Sequence, residues 1–296
     1  MAHTQDRTMR RVVRREIAGT IGLLTDEEDF AAMRRYRTFT FDDHRTYLRQ
    51  VEALLTTLAA EGSHTTVALF DPEEYAEFCT HSGLDPDAPS SRTRFTAELA
   101  ATGPTLPYEG QPLTELVPDL VDEAVRQATW EYATTLLARI GDCASCGEDI
   151  GRAAFTRATH LLTRILDTAG PGEHHLVLSV STTPEALMAV LHTEAAEDST
   201  SPDETEALEF ATVLALGIAT GTPAGLVMRT SAPGTTDRVH GWRLRGENLQ
   251  PLTAAEVFDA YCTDLDSGDL VSPESGVDYC APPDLGEDGR DGGHRH

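Results

Sequence analysis

The stretch Phe155-Thr-Arg-Ala158-Thr-His-Leu-Leu162-Thr-Arg-Ile165-Leu166-Asp-Thr-Ala169 is followed, after a short glycine-containing link, by His175-Leu-Val-Leu-Ser-Val-Ser181. In the first segment Phe155, Ala158, Leu162, Ile165, Leu166 and Ala169 recur at helical spacing, so a helix there buries one stripe and exposes Arg157 and Arg164. The second segment is short, apolar and bounded by polar residues, as a strand is. A helix feeding a strand in this way predicts an α/β or α+β fold, helix-rich, with a mixed sheet of about five to six strands.

Outward from this pair, periodicity predicts helices near 26–35, 42–61, 72–82, 91–101, 114–140, 149–169, 184–195, 203–219 and 254–262. Several open on a capping side chain with a carboxylate three residues on: Thr25 with Glu28, Thr40 with Asp43, Asp71 with Glu74, Ser201 with Glu204, Thr253 with Glu256. Pro72, Pro184 and Pro202 follow presumed caps, where a missing N–H costs little. Strands are predicted at Ile17–Leu24, Thr65–Phe70, His175–Ser181, Gly225–Thr230, Val239–Arg245 and Gln250–Leu252, with Gly246-Glu247-Asn248 turning a hairpin between the last two. The implied organisation is a basic arm (1–16), a helix-rich α/β domain (17–195), an acidic loop or linker (196–204), a smaller α+β region with a hairpin (205–281) and a disordered tail (282–296).

The chain of 296 residues carries 23 basic and 49 acidic side chains, a formal net charge of -26. Such a field repels nucleic acid and anionic lipid, so generic nucleic-acid binding is disfavoured. Every basic residue is arginine. A chain without lysine has no Walker A loop, no pyridoxal Schiff base and no lysine aldolase chemistry; the bias fits a GC-rich coding sequence of the actinobacterial kind. Charge is segregated as well: no basic residue lies between Arg164 and Arg229, or between Arg245 and Arg290, while both stretches are rich in carboxylates. No apolar run reaches the roughly 20 residues of a membrane helix, and the short, glycine-interrupted stretch behind the N-terminal arginines is no secretory signal. Five cysteines, an odd number, argue against a disulfide framework and for a reducing, cytoplasmic location.

The sharpest local motif is Cys143-Ala-Ser-Cys146-Gly147, between the two longest predicted helices. Two thiolates two residues apart can chelate one zinc ion, and the glycine frees the backbone to turn around it. The run Cys143 to Gly151 resembles the zinc knuckle of DksA/TraR-type fingers, Cys-x-x-Cys-Gly-x-x-Ile. That resemblance covers nine residues and implies a local metal turn; it departs from those fingers in that no second Cys-x-x-Cys follows at short range. Further ligands would come from Cys79 with His81, from His160, His174 or His175, or from Cys262 with Cys280. Structural cysteines without metal, and a redox pair with Cys143 activated near a helix start, are the competing readings. Taken singly, Cys79, Cys262 and Cys280 read as buried small apolar residues.

Other motifs read as structure. Asp264-Leu-Asp266-Ser-Gly268-Asp269 has its glycine one position early for a calcium loop, with Ser275 where a bidentate glutamate is needed. Gly217, Gly221 and Gly225 mark a helix end, a turn and a strand start rather than a dinucleotide loop. Asp43 and His44 fall in the first turn of a helix, where a carboxylate caps. Of His174 and His175 one faces the core and one solvent, and Trp130 and Trp242 belong to core or interface. No Gly-x-Ser-x-Gly elbow and no His-Glu-x-x-His is present. The expectation is a non-enzymatic regulatory or protein-interaction protein with a zinc turn. The alternatives are an enzyme with a site outside known motifs, such as a thiol-redox protein using Cys143 and Cys146, and an acidic nucleic-acid mimic.

Overall fold

The computed structural model describes residues 19–183, 185–195, 200–263, 267–283 and 285. The chain divides into two compact units, Met1–Gln127 and Ala128–His296. The fold is α+β and helix-rich, and its strands form two mixed sheets rather than one. Among the described residues no helix is long and apolar enough to cross a membrane.

In the first unit, β1 (Gly19–Leu23) runs parallel to β2 (Thr65–Leu69), and β3 (Thr105–Pro107) pairs antiparallel with β2. A parallel pair needs a long crossover, supplied by α1 (Glu27–Met33) and α2 (His44–Ala60). Next come α3 (Pro72–Ser82), α4 (Pro89–Thr102) and α5 (Leu113–Ile140), the last spanning the division between units. The core is aromatic: Phe30, Phe39, Phe41 and Tyr47 form one cluster, and Phe70, Tyr75, Phe78 and Phe95 another, with ring centroids 5.0–6.1 Å apart.

In the second unit, α6 (Ile150–Ala169) leads into β4 (Glu173–Val180), followed by β5 (Leu187–Ala195), β6 (Thr200–Pro202), α7 (Glu204–Thr220), β7 (Ala224–Ser231), β8 (Asp237–Arg245), β9 (Asn248–Pro251), α8 (Ala254–Tyr261) and β10 (Val277–Tyr279). The sheet order is β10-β8-β7-β4-β5-β6, with β9 on β8; only the β10–β8 pair is parallel. Helix α7 packs on β4 and β5 and beneath α6. Its residues Phe210 to Ile218 are all buried, as a helix covered on every side requires. Gly217 lies inside α7, not at its end: a Cβ there would meet Leu244 at 3.1 Å and Val180 at 3.3 Å. Gly221, at φ +65°, is the left-handed cap that ends the helix.

Several expectations need correction. The predicted helix 184–195 is strand β5 from Leu187; Pro184 lies outside the described residues. Its Glu, Ala, Leu and Met residues favour a helix locally, but seven consecutive pairs with β4 and an alternation of buried Ala189, Leu191 and Thr193 with outward Met188 and His192 prevail. Three caps sit later than expected, because an aspartate just downstream takes the role: Asp26, Asp43 and Asp203 rather than Thr25, Thr40 and Ser201. Pro202 ends β6. Asp71 and Thr253 cap as expected, Thr253 with Glu256 in a reciprocal box. Residues 196–199 of the expected linker lie outside the described residues; Thr200–Pro202 forms β6 beside β5, and the division between the compact units falls in α5. Within the expected tail, Leu285 packs against the core of the second unit. The arm 1–16, Asp264 to Asp266 of the acidic turn and residues 286–296 of the tail lie outside the described residues. The β8–β9 hairpin turns on Gly246 and Glu247, with Gly246 at φ +58°.

The strand assignment of 187–195 predicts opposite responses at two positions three apart, which a helix would place on one face. Leu191→Ala, fully buried, should cost about 2–5 kcal/mol of stability. Met188→Ala, more than half exposed, should change it by less than about 0.5 kcal/mol in urea unfolding.

Candidate functional site

Between α5 and α6 the chain makes one tight, solvent-facing turn. Asp142 and Asp149 form an antiparallel bridge. Inside it the Cys143 amide donates to the Glu148 carbonyl at 2.8 Å, and the Gly147 amide to the Cys143 carbonyl at 2.8 Å. The second bond closes the Cys-x-x-Cys loop on itself, and Gly147 at φ +74° lets the chain leave in a left-handed conformation. Below the turn, the Ile150 amide donates to the Gly141 carbonyl, and a Cβ on Gly151 would stand 3.2 Å from the Leu137 carbonyl, so a small residue is needed where the helices meet. The result is a rigid base carrying Cys143, half-buried, and Cys146, exposed, on one loop. The thiol of Cys143 lies 3.1 Å from the Ser145 hydroxyl.

Helix α6 begins at Ile150, and its N-cap is Asp149, whose carboxylate accepts from the Arg152 amide at 2.8 Å. The turn folds back on the start of α6 through the Cys143–Glu148 bond, and the Asp149 carboxylate already occupies the helix end.

The remaining candidate ligands are dispersed. Cys79 is buried at the end of α3 beside His81, and Cys262 is buried at the end of α8. Cys280, half-buried, donates its S–H to the Asp278 carbonyl. His160 is exposed on α6. His174 faces the core, with Nε2 donating to the Gly170 carbonyl at 3.1 Å and Nδ1 accepting from the Thr230 hydroxyl at 3.0 Å; the carbonyl can only accept, so the Nε2–H tautomer follows. His175 faces solvent. Among the described residues no group of three or more His, Cys, Asp or Glu gathers around a common point. Asp43 caps α2 through Thr46, and His44 Nε2 bonds the Leu24 carbonyl, so that pair is structural. Trp242 is buried in the core and Trp130 half-buried on α5.

A second cluster escaped sequence reading. Strand register puts His192, His175 and Arg229 in one row across β5, β4 and β7, on the sheet face opposite α7. The imidazoles of His175 and His192 stand 4.5 Å apart between centroids. Glu206 accepts from the His192 amide at 2.8 Å and lies 3.3 Å from its Nδ1, while Arg229 is paired with Asp237 at 2.7 Å and Glu274 at 3.0 Å. The row becomes legible only once 187–195 is known to be a strand. Elsewhere Phe155, Leu162, Leu166, Ala207, Leu208 and Ala211 line an open groove of about 480 Å³ between α6 and α7.

Residues 8–111 match the family model described as a domain of unknown function, DUF8829. The match lies within the first unit, whereas the cysteine turn and the histidine row lie in the second. No curated protein and no solved structure matches the chain.

Buried histidines and Asp29 respond to pH in opposite directions. Burial, first of all, pushes His174, His175 and His240 below the ordinary histidine value of 6.5. The folded state resists their protonation, so stability complete above pH 6.5 is lost as pH falls through the lowered values. In the first unit burial, with Asp26 and Asp71 adding repulsion, raises Asp29 to about 6. There the folded state holds the proton more tightly, and stability is lost as pH rises from 3.8 through 6. Thermal melts should show His175→Gln reducing the loss of stability below pH 6.5. Asp29→Asn should raise the transition at neutral pH and leave it unchanged below pH 3.8; a neutral-pH melt unmoved by Asp29→Asn would contradict this assignment.

Proposed function

We propose that the chain is a cytoplasmic protein-interaction protein whose Cys143–Cys146 turn is a zinc knuckle. One observation carries the reading: both thiols stand on a single exposed turn closed by the Cys143–Glu148 and Gly147–Cys143 backbone bonds, over a base fixed by Gly151. A turn serving packing alone would bury its cysteines, as Cys79 and Cys262 are buried. Here Cys146 is exposed and Cys143 half-buried on a backbone set before any metal arrives, so binding spends little conformational entropy. Zinc there would stiffen a solvent-facing projection, the form in which such a turn meets another macromolecule. With a net charge of -26, the favoured partner is a protein with a basic surface. Cys79 and Cys262 held as buried thiols fit a reducing compartment.

Elemental analysis of protein purified under reducing conditions tests the knuckle. Zinc should be retained by the wild type through dialysis and lost from both Cys143→Ser and Cys146→Ser, with melting curves otherwise unchanged. A metal-free wild type in which the two thiols close to a disulfide on mild oxidation would shift the assignment to thiol redox chemistry.

A further inference from the structure

We propose that the Cys143–Cys146 turn is half of a zinc site, completed by the same turn of a second copy, so that one Zn²⁺ joins two chains through four thiolates. This rests on reading the turn as a zinc knuckle and adds where the missing ligands come from. A structural zinc site is closed and tetrahedral, with four protein ligands. The turn carries two thiols. The other cysteines are committed elsewhere, Cys79 and Cys262 to apolar cores and Cys280 to the segment after β10. Among the described residues no third His, Cys, Asp or Glu joins the pair. On the turn itself, Asp149 is already engaged as the cap of α6.

Access favours a second copy. Every residue from Gly141 to Asp149 except the half-buried Cys143 is exposed, so another molecule can approach the turn. Placing a two-fold axis through the metal makes each chain supply the same two atoms, an isologous contact that closes at the dimer. Local charge permits the approach. The acids Asp142, Glu148 and Asp149 on the turn are flanked by exposed Arg139 and Arg152, so two guanidinium groups offset most of the carboxylate charge at the meeting point.

The chemistry balances without electron transfer. Four thiols release their protons to solvent, four Zn–S bonds form, and the waters of the hydrated ion depart. The turn is small and polar, so metal bonds rather than buried apolar area hold the pair together. Removing the metal therefore dissolves it. Since both chains are strongly acidic, their mutual repulsion is screened by salt, and zinc-bridged pairs should tighten as a non-coordinating salt is added.

The test uses the full chain, reduced with a phosphine, titrated with zinc chloride and followed by light scattering on a sizing column with zinc assayed in each peak. The expected result is about one zinc per two chains, a shift from monomer to dimer, and reversal by a chelator. Cys143→Ser and Cys146→Ser should each remain monomeric at every zinc concentration. A monomer holding one zinc would overturn the sharing while leaving the knuckle intact. A wild type that binds no zinc would overturn both. Zinc-dependent dimers formed equally by the serine variants, or a dimer weakened by salt, would place the contact elsewhere and also refute the proposal.

Discussion

Strand β4 is hydrogen-bonded along its length on both sides, to β5 through seven residue pairs and to β7 through eight. That double pairing fixes the register of the second unit. It sends Leu176, Leu178 and Val180 toward α7 and His175, Val177 and Ser179 the other way, since neighbours in a strand alternate faces. A slip by one residue would expose the core row and bury the imidazoles, so the pairing is strongly specified by the apolar side. Helix α7 then has a defined bed, with Gly217 admitting Leu244 and Val180 at close range. Helix α6 lies over α7, and the cysteine turn stands at the start of α6. The position of the turn is thus inherited from the sheet through two helices.

Sequence reading recovered the parts whose signals are local. Amphipathic α6, the aspartate and threonine caps Asp71 and Thr253, and the Gly246-Glu247 hairpin all depend on residues a few positions apart. Residues 187–195 show the limit. Glu185, Ala186, Leu187, Met188, Ala189 and Leu191 favour a helix on their own, and only pairing with the distant residues 174–180 makes the strand win. The three-residue strands β3, β6 and β10 are shorter than any pattern can register, and they exist because a neighbouring edge offers hydrogen bonds. Threonine and serine caps were preferred over Asp26, Asp43 and Asp203 because both types cap well, and the choice depends on where the first turn meets its packing partner.

The same distinction governs the candidate site. Cys143 and Cys146 lie three positions apart, so their chemistry is visible without a fold, and the structure adds that they share one exposed turn, Cys146 exposed and Cys143 half-buried. The row of His192, His175 and Arg229 is assembled from three strands and has no sequence signature. Its electrostatics are nevertheless simple. Arg229 is held between Asp237 and Glu274, two carboxylates against one guanidinium, which leaves local charge negative beside His175, whose protonation burial disfavours. Glu206 adds another carboxylate on the far side of His192. Acidic residues in this stretch therefore hold particular groups as well as solvating a surface.

Charge also decides what kind of contact the chain can make with itself. Two copies carrying -26 each repel over the whole approach, and at physiological salt that repulsion is cut off only beyond about 8 Å. A broad face-to-face dimer would bring many carboxylates inside that distance, each losing hydration as it does so. A contact made at the tip of a projection keeps the two surfaces apart everywhere else. It must then be strong in very little area, which apolar burial at about 25 cal/mol per Å² does not supply and metal–thiolate bonds do. The acidic composition and the projecting cysteine turn, unrelated as sequence features, therefore favour the same point-like, metal-dependent association.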